Sequence, residues 1–240
     1  MATRQPRLSG TTRPRGRGEA NGSPHGSLLK ERAYAEIRRR ILSGAFEAGT
    51  FLSERQVALQ LGMSKTPVRA ALERLEQEEF VTISPQQGII VRDLSVHEIA
   101  DQYEIRAALE TYVVRTVAGR LTPAQVGRLQ ANLDAQQANC GARDVRHGVA
   151  LDAEFHNLFC EFLGNREILR VVGQLREKVH RVISQVYTLN AARMASSYEE
   201  HKAIADAVIR GDAALAVRRV EEHLEYGKRC LLSPRGGGPL

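Results

Sequence analysis

The 240-residue chain has no apolar run approaching the roughly 20 residues that a membrane-spanning helix needs. It has only three cysteines, Cys140, Cys160 and Cys230, with no CxxC spacing. That fits reduced thiols in a cytosol better than a disulfide framework. Its first residues are arginine-rich and contain no apolar core, so a secretory signal is not expected. No internal repeat is present. An excess of one charge sign is also scarce where it would matter. The net charge is +6, yet Arg4, Arg7, Arg13, Arg15 and Arg17 against Glu19 alone account for most of it. Residues 28–93 are close to neutral, so global charge says little about a polyanionic partner, and residue placement must carry that question.

The composition that is present divides the chain in three. Residues 1–27 are rich in Gly, Pro, Ser, Thr and Arg and contain almost nothing to bury, which predicts a disordered basic tail. Such an arm is able to touch phosphates or a minor groove, although a solvated extension explains it as well. Residues 28–93 form a first domain. Leu29, Ala33, Ile37 and Ile41 recur at i, i+4, and Gly44 stops that helix. Ser53 is placed to cap a second helix that ends at Gly62, with Val57, Leu59 and Leu61 toward the core. Ser64 is placed to cap a third, where Pro67 is tolerated in the first turn and Val68, Ala71, Leu72 and Leu75 share a stripe. A β-hairpin follows, VTIS and IIVR, turning at 85–88. Residues 94–235 then hold six helical segments, about 96–119, 123–139, 144–163, 166–189, 191–210 and 213–232, punctuated by Pro123, Asn165 and Gly211. The expected fold is mostly α: an N-terminal winged helix-turn-helix and a C-terminal antiparallel all-α bundle.

Three helices and a hairpin, with the tight Leu61-Gly62-Met63 link, describe a motif whose third helix enters the major groove. Ser64, Lys65 and Thr66 would then head the reading helix, with Arg69 one turn on and Arg55 on the helix before it. Arginine reads guanine O6 and N7 bidentately, and hydroxyls meet phosphates or base edges. Gln87 and Gly88 at the hairpin tip are placed to approach a minor groove. The competing readings are surface ion pairs, Arg55 with Glu54 or Glu73 and Arg69 with Glu73.

Residues 49–91 resemble the DNA-binding domain of the GntR family of bacterial regulators. Gly49, Leu52, Glu54, Arg55, Gly62, Ser64, Pro67, Val68, Arg69, Ala71, Leu72 and Leu75 match its pattern, G-x-x-L-x-E-R-x-L-A-x-x-x-G-V-S-R-x-P-V-R-x-A-L-x-x-L-x-x-x-G. Two positions depart. Lys65 stands where Arg is common and loses the planar fork; Glu79 stands where Gly is common, which reads as a minor change at the helix end.

In the second domain Asp152 and His156 lie four apart on one helix, with His201 and His223 on two later helices. One carboxylate and three imidazoles suit a divalent transition metal, zinc ahead of nickel or manganese. Spacing alone cannot bring three helices together, and lone histidines are often core or surface residues. The domain is similar to the FCD ligand-binding domain of the FadR subfamily. Its D-x-x-x-H, E-H-x-x-I and final His-Leu signatures read here as Asp152–His156, Glu200–Ile204 and His223-Leu224. That resemblance implies all four residues as metal ligands. Six helices instead of seven resemble the VanR-like branch and argue against a long acyl-CoA effector. Arg106 matches the arginine that faces the cavity in such domains. There it would clamp a small carboxylate beside the metal, the competing reading being a pair with Glu110. Cys160, one turn beyond His156, reads as a small core residue.

These readings converge on a non-enzymatic regulator. It would bind an operator inverted repeat as a homodimer and be released from it, as a repressor, by a small organic acid. Two alternatives stand beside this reading. An Asp-His-His-His set with an open position also suits a metal-dependent enzyme, and a basic tail suits sequence-independent DNA binding.

Overall fold

The structure is a computed structural model and describes residues 24–84 and 88–232. The chain runs α1 (Pro24–Leu42), β1 (Phe51–Leu52), α2 (Glu54–Leu61), α3 (Lys65–Gln77), β2 (Val81–Ser84), β3 (Gly88–Val91), α4 (Val96–Val117), α5 (Pro123–Ala142), α6 (Val145–Leu163), α7 (Arg166–Leu189), α8 (Ala191–Ile209) and α9 (Ala213–Leu232). The described residues therefore begin with helix at Pro24, inside the stretch expected to be disordered; residues 1–23, with the tail's five arginines, lie outside them.

The N-terminal unit closes around one apolar cluster. Ala33, Ile37 and Ile41 of α1 meet Val68, Leu72 and Leu75 of α3 and Ile89 and Val91 of β3. α2 is held at its start by a reciprocal capping box between Ser53 and Gln56 and at its end by Gly62 with φ 63°. Ser64 occupies the cap position of α3 but makes no capping hydrogen bond with its side chain. The expected core face of α2 is corrected. Val57 and Ala58 are buried, Leu61 is half-buried, and Leu59 is 82% exposed. A two-turn helix turning 100° per residue cannot bury 57, 59 and 61 on one stripe, which is a strand's period.

The hairpin gains a third strand, giving the sheet order β1-β3-β2, all antiparallel. This fixes the role of Gly88. Its φ is +88°, and a Cβ there would lie 2.8 Å from the Leu52 carbonyl oxygen. The missing side chain lets β1 cross the wing.

Glu79 is also corrected. It adopts φ 63°, the left-handed region in which glycine is unstrained, so the departure from Gly has a conformational cost. Its carboxylate accepts from Lys178 on α7, while Arg38 of α1 pairs with Glu177 on the same helix. Two consecutive residues of α7 thus grip the N-terminal unit.

The six C-terminal helices fall within a few residues of their expected spans because local chemistry ends each one. Ser95 and Thr122 form capping boxes with Glu98 and Gln125, Pro123 starts α5, Asp144 and Asn165 cap α6 and α7, and Gly164 ends α6 in the left-handed region. α4 packs along α9 and against α6 and α7, enclosing Val113, Val117, Phe155, Phe159, Ile204 and Val220. No helix among the described residues is long and apolar enough to cross a membrane.

Candidate metal centre and nucleic-acid interface

In α6, Asp152 and His156 point into the bundle together with His201 of α8 and His223 of α9. All four are buried, and one potential ligand atom from each lies within 4.8 Å of the others. The imidazole centroids are 4.7 to 5.1 Å apart, and Phe155 stacks on His201 at 4.1 Å.

Each ring is oriented from behind through Nδ1. His156 Nδ1 lies 2.5 Å from Glu110 Oε2 of α4, His201 Nδ1 2.8 Å from Gln136 Oε1 of α5, and His223 Nδ1 2.6 Å from Glu200 Oε2 of α8. With Nδ1–H donated to these acceptors, the Nε2 lone pair of every ring is left for a cation. Nε2 of His156 and His201 is buried without a hydrogen-bond partner among the described residues. Asp152 Oδ1 stands 3.5 Å from His201 Nε2. Orphaned buried acceptors are costly, on the order of 1–3 kcal/mol each, and a metal ion would satisfy them. The donor set, three imidazoles and one carboxylate, fits a divalent transition metal.

The electrostatics hold the ligands in binding form. Desolvation, reinforced by Arg176, pushes the His156 pKa down to about 4. Desolvation and then His223 push His201 well below its usual value, so both rings are neutral near pH 7. Burial alone would raise Asp152, but Arg176 and the surrounding imidazoles outweigh it and hold the carboxyl well below the usual range. Burial also works against the charge on Glu110, and there Arg106 and then His156 prevail.

Two arginines extend these contacts into relays. Arg106 Nε donates to Glu110 Oε1 at 2.8 Å, behind His156; Arg193 holds Glu200 through two bonds of 2.9 Å, behind His223. Arg106 thus makes the competing pair with Glu110 and also lines a cavity. That cavity also meets Asp152, Arg176, Tyr187, Arg193 and His223, with an empty volume of about 350 Å³ counting its open mouth. Cys160 is a core residue, and desolvation raises its thiol to about 12.

Sequence reasoning missed Arg176, Gln136 and Arg193. It had no signal for them, because each acts on a residue 7 to 65 positions away. Glu200 was visible in the E-H signature, but its carboxylate serves His223 on the neighbouring helix and not His201 beside it.

At the other end of the molecule, Arg55, Ser64, Lys65, Thr66 and Arg69 are all exposed around the start of α3. Among the described residues Arg69 makes no hydrogen bond to Glu73. Its Nε and Nη2 each donate at 2.9 Å to Glu54 across the helix-turn-helix, and these hydrogen bonds hold the Glu54 carboxyl below its ordinary value. Arg55 has no ion pair among the described residues. Gln87 lies outside the described residues; Gly88 sits at the start of β3.

Comparison with known proteins agrees with both halves. The model for bacterial regulatory proteins of the gntR family matches residues 29–91, and the FCD domain model matches residues 101–226. An HTH-type transcriptional regulator of Streptomyces ambofaciens, in an unstable DNA locus, is 29% identical over 200 residues, 83% of this chain and 84% of its own length. The gluconate operon transcriptional repressor of Bacillus licheniformis is 27% identical over 175 residues, 73% of this chain and 70% of its own. The E. coli McbR/YncC structure superposes with a TM-score of 0.74 at 22% identity, covering 85% of this chain and 96% of that one, which shows a shared fold. The relatives are transcription regulators and not enzymes, and this chain belongs to the GntR family of bacterial regulatory proteins with an FCD domain.

Proposed function

We propose that the chain is a metabolite-responsive transcription repressor, released from its operator by a small carboxylate that binds beside a metal ion in the FCD domain. One observation carries this reading. The Asp152–His156–His201–His223 cluster borders an arginine-lined cavity, in the domain whose α7 grips the N-terminal unit. Asp152 and the three Nε2 atoms would hold the ion, zinc ahead of nickel or manganese. When bound, it supplies Lewis-acid attraction for a carboxylate oxygen, while Arg106 offers its remaining donors to the same ligand. Arg55, Ser64, Lys65, Thr66 and Arg69 would contact operator DNA, with Gln87 and Gly88 at the wing. A cytoplasmic homodimer on an inverted repeat matches the two-fold geometry of such sites.

A ligand shifts operator affinity only if it binds the DNA-competent and DNA-incompetent states differently. α7 provides a route for that difference, since Arg176 contacts Asp152 while Glu177 and Lys178 hold Arg38 and Glu79. The test is an operator shift assay on DNA flanking the gene, titrated with small carboxylates with and without a chelator. Metal-dependent release supports the reading; release indifferent to chelation, or turnover of the acid, overturns it. Glu79→Gly removes left-handed strain of roughly 1 kcal/mol and the grip of Lys178 together. Calorimetry is expected to show unchanged carboxylate affinity in this variant, while the fold-release of operator falls several-fold. An undiminished release would show that this contact plays no part in coupling.

A further inference from the structure

Arg176 is 4% exposed, lines the cavity, and gives one Nη2 donor to Asp152. Its Nε and Nη1 are buried with no partner among the described residues. A guanidinium carries five N–H donors in a rigid fork, and burying two nitrogens unpaired costs free energy unless something takes them up. The two other buried arginines of the site differ. Arg106 and Arg193 are tied to Glu110 and Glu200, each of which is in turn tied to a histidine. The partner of Arg176 is itself a candidate metal ligand, so Asp152 has two competing cationic uses.

Charge counting sharpens the point. Around the cavity stand three buried guanidinium groups (Arg106, Arg176, Arg193), the buried carboxylates of Glu110 and Asp152, and the half-buried carboxylate of Glu200. Histidines that ligate a metal are neutral, so a divalent ion leaves the site with two uncompensated positive charges. Buried charge of that size requires a counter-charge at close range.

Resting on the metal-and-carboxylate reading above, we infer that Arg176 is an anion-binding residue exchanged between two partners. It neutralises Asp152 in the metal-free protein, and when Asp152 turns to the metal its forked donors pass to the ligand. The ligand is then a small dianion, a dicarboxylate or a phosphate, in preference to a monocarboxylate. Metal loading becomes a precondition for tight ligand binding.

The test is calorimetry on the full chain, with succinate, inorganic phosphate and butyrate as probes, on zinc-loaded and chelated protein. Zinc-loaded wild type is expected to bind at least one dianion ten times or more tighter than butyrate, and succinate against phosphate tells which kind. Chelated protein is expected to bind that dianion at least tenfold more weakly. Arg176→Gln with zinc is expected to lose the preference, and its melting temperature should rise more on adding zinc than that of wild type. That larger rise follows because Asp152 in the variant has no cation to give up. If Arg176→Gln does not fold, Arg176→Lys keeps the charge, drops the fork, and should also lose tenfold or more in dianion affinity. Equal binding of butyrate, dianion binding indifferent to chelation, an unchanged preference in the variants, or equal zinc-induced shifts would each overturn the inference. If wild type takes no zinc in competition with a chromophoric chelator, the metal reading falls and this inference with it. Zinc binding without dianion preference overturns this inference alone.

Discussion

Replacing His201 by alanine is expected to lower zinc affinity by more than about a hundredfold, beyond the 10–100-fold typical of losing an outer partner, and to abolish carboxylate-dependent release. Operator binding in the absence of carboxylate should persist. The reasons are geometric. His201 is fully buried, its Nδ1 is fixed by Gln136, and its Nε2 has no hydrogen-bond partner among the described residues. Gln136 is itself held, donating to Asn132 at 2.7 Å, while Asn132 donates to the Leu151 carbonyl oxygen at 3.2 Å. α5 thus aims the ring before any ion arrives. His201→Ala also removes the ring stacked on Phe155, so a stability loss of roughly 2–3 kcal/mol from the cavity is expected. Gln136→Ala separates the two effects, because it keeps the imidazole and releases only its orientation. Zinc affinity there should fall about 10–100-fold with the Phe155 stack intact. Zinc competition and thermal melting on both variants check this. Wild-type zinc affinity in His201→Ala would remove the candidate site outright, whatever the carboxylate assays showed.

The helical framework was legible because its signals are local. Gly62, Pro123, Asn165 and Gly211 each act within a turn of themselves. The four candidate ligands were readable only through a family signature, since nothing in the spacing of residues 156, 201 and 223 says that α6, α8 and α9 converge. What could not be read was non-local pairing. β1 is two residues long and exists through its pairing with β3, so no periodicity announces it. Arg69 finds Glu54 fifteen residues back instead of Glu73 one turn on, because the sharp helix-turn-helix brings two exposed faces together. Glu79 looked incidental because its cost lies in a backbone angle and its use lies on α7. Arg176 had no reading at all, since the counter-charge that makes burial of its guanidinium tolerable is on another helix.

Arg69→Ala is expected to weaken operator binding roughly tenfold to a hundredfold, the worth of one bidentate arginine–guanine contact, while barely changing affinity for random DNA. Its side chain is 61% exposed in the first turns of α3, the helix proposed to read the operator. Lys65→Ala should behave differently. An ammonium acts as a point charge on phosphate, so both specific and random DNA affinities fall and the salt dependence becomes shallower by about one counterion. Glu54 makes the comparison sharper. Its carboxylate holds Nε and Nη2 of Arg69 in one plane and leaves the Nη1 side of the guanidinium outward. On the proposed docking of α3, it would also place a negative charge near the approaching phosphates. Glu54→Ala is therefore expected to raise random-DNA affinity and to lower the ratio of operator to random binding, because the arginine gains freedom and loses its fixed aim. Fluorescence anisotropy with operator and scrambled duplexes at two salt concentrations measures all three. If Arg69→Ala lowers both affinities equally, Arg69 is a phosphate contact and operator reading passes to Arg55, its exposed neighbour on α2. If no variant changes the ratio, the protein binds DNA by charge alone, and the reading of α3 as the recognition helix is wrong.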